Sequence, residues 1–294
     1  MSSAEHAGIT EGQDAGRRPL DDEIDVYGLT HPGKVRKTNQ DHFLICALQK
    51  QTKLFHTSLP DASKIGADER VAFISVVADG VGGHAGGEEA SRHVLEGITR
   101  YISEAIHTYY TADPHDDEDF KRALEESALT VHNELAERSS ADRQVKGMAT
   151  TLTLWLGVWP HAYLLQVGDS RCYTLRDGTL VQMSRDQTMA QDFVDQGIFT
   201  RDDPAHARLS HILSSAIGGP EAAPIVRRFD QNWANVGLLC SDGLTRHVPD
   251  DRIRERLMTM TSARQVCEDL LQDALDGGGE DNITVVVGRS IAKT

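Results

Sequence analysis

Three carboxylates stand out by residue type and setting. Asp79-Gly80 follows the apolar run Val71–Ala78, Asp242-Gly243 follows Val236–Cys240, and Asp281-Asn282 precedes Ile283–Val287. The first two place an Asp where a strand is expected to end, with a Gly that lets the backbone turn sharply and approach a ligand, and the third lies just before a strand. Carboxylates gathered at strand ends suit a hard cation, and such sites usually act on phosphate oxygens. Two other Asp-Gly steps have plainer explanations. Asp177-Gly178 separates two short strands as a hairpin turn, and Asp276-Gly277 closes a helix. A further segment, Arg36-Lys37-Thr38-Asn39-Gln40-Asp41, sets a cation, amides and a carboxylate ahead of a strand. An Arg can grip phosphate through two donors, and a nearby Asp can hold a metal directly or through water. A solvated loop would account for that segment equally well.

The elements that must position these groups follow from hydrophobic pattern. Strands are expected at Ile24–Thr30, His42–Leu48, Val71–Ala78, Thr150–Val158, Ala162–Val167, Arg171–Leu175, Thr179–Met183, Val236–Cys240 and Ile283–Val287. The turns Gly168-Asp169-Ser170 and Arg176-Asp177-Gly178 predict antiparallel hairpins. Ala90, Val94, Ile98, Ile102 and Ile106 recur every four residues, which predicts a helix over Glu88–Ile106; Phe120–Ala136 repeats the pattern. Gln187–Gln196 before Gly197, Asp250–Met258 and Ala263–Leu275 also read as helices. Helices outside and sheets inside are the expected arrangement.

Residues 1–22 are small, polar and aperiodic, which predicts a disordered tail ahead of one domain over 23–290. Residues 49–70 form a polar insertion, and Asp202–Gly219 is mixed in pattern and expected to be mobile. The formal charge of −15 opposes binding to nucleic acid, and an aromatic content of 5% gives little to stack on bases. No apolar run approaches the ~20 residues that a membrane span needs. The four cysteines are widely spaced, so free buried thiols in a reducing compartment are expected. A monomeric cytoplasmic protein is the resulting expectation. A nucleotide-binding turn at Gly80-x-Gly82-x-x-x-Gly86 is disfavoured, because Asp79 would face the pyrophosphate.

In order and content the chain resembles the metal-dependent serine/threonine protein phosphatases of the 2C type, especially bacterial members. The segments that carry the resemblance are Arg36…Asn39-Gln40-Asp41, Asp79-Gly80-Val81-Gly82-Gly83-His84, Gly147-Met148-Ala149-Thr150-Thr151, Gly168-Asp169-Ser170-Arg171, Ser241-Asp242-Gly243-Leu244 and Glu280-Asp281-Asn282. The resemblance implies a four-layer α/β/β/α sandwich of the α+β class, with two Mn²⁺ or Mg²⁺ ions between the sheets. Asp79 would bridge both ions and Gly80 would offer its carbonyl. Asp242 and Asp281 would complete one shell, and Asp41 would act through bound water. Arg36 would hold the substrate phosphate, Asp169 with Asp242 would bind a third, weaker ion, and 187–219 would be the family's variable flap beside the active site. The implied reaction is in-line attack of a metal-activated water on phosphoserine or phosphothreonine of proteins made by serine/threonine kinases.

Three departures bear on that expectation. Val81 stands where eukaryotic members place a candidate general acid, and His84, three positions on, is the alternative donor. Gln40 replaces a Glu, and Gln187 stands where a His is common. A rival expectation is a catalytically weak phosphatase fold that only binds phosphoproteins.

Overall fold

The computed structural model describes residues 16–60, 69–81, 85–111, 117–142 and 145–292. In chain order its strands are β1 (Ile24–His31), β2 (Asp41–Lys50), β3 (Glu69–Val81), β4 (Ala149–Thr150), β5 (Leu152–Val158), β6 (His161–Val167), β7 (Arg171–Arg176), β8 (Thr179–Gln182), β9 (Ile225–Asp230), β10 (Val236–Cys240) and β11 (Ile283–Ser290). The helices are α1 (Ala85–Thr111), α2 (Glu118–Ala141), α3 (Met189–Asp195), α4 (Pro204–Leu209), α5 (Asp242–Thr245), α6 (Asp250–Met258) and α7 (Ala263–Asp276). One sheet has the order β1-β11-β10-β7-β8; the other runs β2-β3-β5-β6-β9, with β4 on β3. The paired strands are antiparallel throughout.

Alternation along each strand decides which layer a side chain enters. On β3, Ile74, Val76 and Ala78 join the core beneath α1 and α2, with Ile98, Ile102, Leu124 and Leu135. On β10 and β11, Leu238, Cys240, Val285 and Val287 join Val266, Cys267 and Leu270 of α7. The opposite parity fills the seam between the sheets: Val77, Leu164, Cys172, Leu239 and Val286, flanked by Phe43, Ile45, Trp155 and Phe229. The four-layer α/β/β/α sandwich follows from these three cores. Extending the same parity by one step sends Asp41, Asp79, Ser241 and Thr284 into the seam as well.

Several expectations need correction. Gly168-Asp169-Ser170 does not close a hairpin, because β6 belongs to one sheet and β7 to the other. That turn crosses the seam, with Gly168 at φ 100°. The hairpin through Asp177-Gly178 does form, with both residues at positive φ. β3 runs on through Asp79 and Gly80, and Gly80 pairs with Thr150. Gly is needed there for close approach, since a Cβ would overlap the carbonyl oxygen of Gly87. The edge strand β9 has no counterpart in the expected pattern; Arg227 and Arg228 are exposed in its middle.

Residues 16–22 fall within the segment expected to be tail, yet they are tied to the domain. Trp159 Nε1 donates to the Gly16 carbonyl at 3.1 Å, and Trp233 Nε1 to that of Arg17 at 3.2 Å. In the expected insertion, 51–60 are exposed and irregular, and 61–68 lie outside the described residues. The flap holds α3 and α4, capped by Thr188 and Asp203. Its Asp192 and Asp195 pair with Arg185 at 2.7 and 2.6 Å, so both are structural partners. The four cysteines are free.

Candidate metal centre

Cross-strand register puts Asp41 of β2 directly opposite Asp79 of β3. Like charges in that relation repel, so the pair is costly unless a cation joins it. Asp41 is 2% exposed. Its Oδ2 accepts hydrogen bonds from Ser241 Oγ at 2.7 Å and Thr284 Oγ1 at 2.8 Å, both from the other sheet. Its Oδ1 is buried with no partner. Burial pushes the Asp41 carboxyl up to about 7, although the two hydroxyls oppose the rise. Asp79 rises well above its ordinary range, first through burial and then through Asp41, Asp242, Asp169 and Asp281. Its main chain is fixed by Thr151, whose Oγ1 accepts from Asp79 N and whose N donates to Asp79 O, both at 2.9 Å.

Asp242 opens the single turn α5, whose Leu244 is fully buried and anchors it. A Cβ on Gly243 would overlap the carbonyl oxygen of Asn282, so this glycine lets α5 lie against the Asp281 turn. That turn is built by Gly278 and Gly279, both at positive φ, and Gly279 O accepts from Lys34 N at 2.7 Å. Asn282 locks it to the Arg36 loop. Its Oδ1 accepts from Gln40 N at 2.8 Å, and its Nδ2 donates to Pro32 O and Thr38 O at 3.0 and 2.9 Å. Burial, then Asp242 and Asp186, raises the Asp169 carboxyl well above its usual range.

The structure therefore brings together Asp41, Asp79, Asp169, Asp242 and Asp281 with Gly80 beside them. Arg36 stands at the rim and donates to Asp281 Oδ2 at 2.8 Å. His84 lies outside the described residues. Gln187 is a bracket for the Asp169 turn: its Oε1 accepts from Gly168 N at 2.7 Å and its Nε2 donates to Ala223 O at 2.8 Å. The sequence reasoning missed Arg246. Its guanidinium pairs closely with Asp242 and reaches Asp281 Oδ2 at 3.1 Å. The signal lay in its i,i+4 spacing from Asp242, which matters only once 242–245 is seen as a helical turn.

The donor set is entirely oxygen, crowded and short of counter-charge, with one buried carboxylate oxygen unbonded. That chemistry fits hard divalent cations such as Mn²⁺ or Mg²⁺. Among the described residues no three Asp, Glu, His or Cys side chains stand in finished metal-holding positions. Arg36 and Arg246 hold Asp242 and Asp281 instead.

Comparison with known proteins gives this arrangement a class. A protein phosphatase 2C family model matches residues 56–277. The serine/threonine protein phosphatase PstP of Mycobacterium tuberculosis is 33% identical over 216 residues, which are 74% of this chain and 40% of that protein. The chain thus spans well under half the length of that relative. The serine/threonine phosphatase stp of Listeria monocytogenes is 30% identical over 217 residues, 73% of this chain and 83% of the relative. The M. tuberculosis PstP/Ppp crystal structure superposes with a TM-score of 0.69 at 28% identity, covering 92% of this chain and 99% of that one. The PstP catalytic domain in complex with two manganese ions gives 0.68, also at 28% identity, with the same coverage of both chains. The chain belongs to the protein phosphatase 2C family. No helix among the described residues is long and apolar enough to cross a membrane.

Proposed function

We propose that this chain is a metal-dependent protein phosphatase that hydrolyses phosphoserine and phosphothreonine on proteins. The observation that carries this reading is the convergence of five Asp side chains on one seam, with a buried Asp41 oxygen lacking any partner. Asp79, Asp242, Asp281 and the Gly80 carbonyl would hold two Mn²⁺ or Mg²⁺ ions, with Asp41 acting through water. When bound, such ions neutralise the cluster and supply a water acidic enough to act as nucleophile near neutral pH. Arg36, with 54% of its side chain exposed, would turn its planar donors onto the equatorial phosphate oxygens. His84 is assigned, by sequence position alone, to donate the proton that the leaving alkoxide needs.

Beside Asp169 and Asp242 a cleft opens under the flap, lined also by Thr188, His206 and His211. This cleft supports a substrate polypeptide lying against 187–219. We assign the catalytic domain to 23–290 and expect it to act as a monomer, since all the groups named come from one chain. Proteins phosphorylated by serine/threonine kinases, and the kinases themselves, are the proposed substrates. A cytoplasmic setting is proposed on the four free thiols, of which Cys240 and Cys267 are pushed by burial up to about 12.

The test is phosphate release from a phosphothreonine peptide with Mn²⁺, Mg²⁺ or EDTA, for wild type and Asp242→Asn. Metal-dependent release, lost with EDTA and with the substitution, is the expected result. A folded protein that releases no phosphate with any metal would overturn the assignment.

A further inference from the structure

Side chains of one parity fill the seam between the sheets, but the filling stops short of its far end. Toward the metal centre the rows carry Val77, Leu239 and Val286. Two residues farther along the same strands the seam positions are Ser75, Gly237 and Gly288, and Gly157 follows Trp155 on β5. Gly237 and Gly288 are direct partners across β10 and β11, so two positions without side chains adjoin. There a cavity of about 150 Å³ lies between the sheets, with Ser75 in its wall, about 13 Å along β3 from Asp79. Interiors pack to crystal-like density, so a void of this size has to be explained. None of the three glycines has a positive φ, and a Cβ on Gly237 would meet nothing nearer than 3.8 Å. Neither backbone geometry nor crowding by the protein calls for glycine at 237. Glycine inside a strand is destabilising, and it commonly marks the close approach of a ligand.

The walls define what the cavity can take. Val26, Phe73 and Trp155 give it aliphatic and aromatic surface from both sheets. Arg18 and Pro19 form a further wall from the 16–22 segment, whose carbonyls the Trp159 and Trp233 indoles hold. Its arginines, Arg18, Arg70 and Arg289, have acidic partners in Glu69, Asp21 and Asp25, so the site is close to neutral. One wall residue is unmatched: Asn235 Oδ1 is buried with no hydrogen-bond partner among the described residues. A buried acceptor without a donor is unfavourable, and an N–H or O–H on a ligand would satisfy it. An apolar cavity of this size holds about one benzene ring. We propose that this cavity is a binding site for a small neutral aromatic molecule carrying one hydrogen-bond donor. The ring lies between the sheets against Trp155, and the donor meets Asn235 Oδ1.

The experiment uses the full chain and two probes of similar shape, phenol with an O–H donor and toluene without one. Binding is followed by isothermal titration and by NMR shifts of the tryptophan indole N–H groups. Wild type is expected to bind one equivalent of phenol, saturating in the millimolar range or below. Gly237→Val puts a side chain into the cavity and is expected to weaken both probes at least about tenfold, with circular dichroism checking the fold. Gly288→Ala fills less of the cavity, should weaken both probes to a smaller degree, and serves if Gly237→Val does not fold. Asn235→Ala is expected to lower the phenol-to-toluene affinity ratio about fivefold while toluene still binds. No saturable binding of either probe to folded wild type would overturn the proposal without recourse to any variant. Unchanged affinity in a folded, filled variant would overturn it too, by placing the probes elsewhere. A wild-type affinity ratio in Asn235→Ala would overturn the role given to its oxygen. None of these readouts depends on phosphate release, so the outcome is independent of the phosphatase reading.

Discussion

Replacing Asp41 by Asn should stabilise the metal-free protein while weakening its response to metal. In the fold the Asp41 carboxyl is pushed from its ordinary 3.8 up to about 7, chiefly by burial. An acid whose folded pKa is raised stabilises most when protonated in both states. Its contribution is fully present below about pH 4 and is lost as pH rises to about 7. Between 3.8 and about 7 the loss amounts to about 4 kcal/mol by pH 8, and to under about 2 kcal/mol at pH 5. An Asn side chain can still accept from Ser241 and Thr284 and can turn its amide toward Asp79, so most of that loss should be recovered. At pH 8 in EDTA the variant should therefore melt about 5–15 °C above wild type, and the gain should shrink by more than half at pH 5. Adding Mn²⁺ should raise the wild-type midpoint more than that of the variant. Thermal unfolding followed by circular dichroism at the two pH values, with and without Mn²⁺, reads all of this. A variant no more stable than wild type at pH 8, or equally stabilised at both pH values, would refute the reasoning.

Arg36→Ala should lower kcat/KM for a phosphothreonine peptide by about 100-fold or more, with Mn²⁺ stoichiometry unchanged. Arg36→Lys should recover little, because a point charge cannot reproduce two parallel donors; loss of bound metal in either variant would count against Arg36 as the phosphate anchor. Gly243→Ala should force the Asn282 carbonyl away and loosen the Asp281 turn. Mn²⁺ affinity should then fall at least about tenfold and stability by about 2–4 kcal/mol, checked by titration and urea unfolding; an unchanged affinity would show that the close approach does not position Asp281.

Strands and long helices were legible because continuous apolar runs and four-residue spacing are direct consequences of burial. The Asp79, Asp242 and Asp281 segments stood out for the same reason, each adjoining a buried strand. The layer crossing at Gly168-Asp169-Ser170 was not legible. A short Gly-Asp-Ser link reads as a hairpin whether its strands pair or part, and only tertiary context decides. β9 escaped notice because an edge strand with Arg227 and Arg228 exposed lacks the apolar signature. Arg246 was hidden by the brevity of α5, since one helical turn carries no periodicity. Gln187 stands where a His is common in the family, and its two amide hydrogen bonds make it a brace for the Asp169 turn.

β1 and β11 lie side by side although they come from opposite ends of the sequence, and Thr284 of β11 reaches across to Asp41 near the start. A growing polypeptide therefore cannot assemble this centre in stages. Until the last strand has been synthesised and has found the first, Asp41 and Asp79 face each other without Asp281 or the Thr284 hydroxyl. A half-made chain, or a fragment cut anywhere before residue 280, is left with acidic side chains and no place to gather them. Synthesis of β11 and the gathering of these carboxylates thus become the same event.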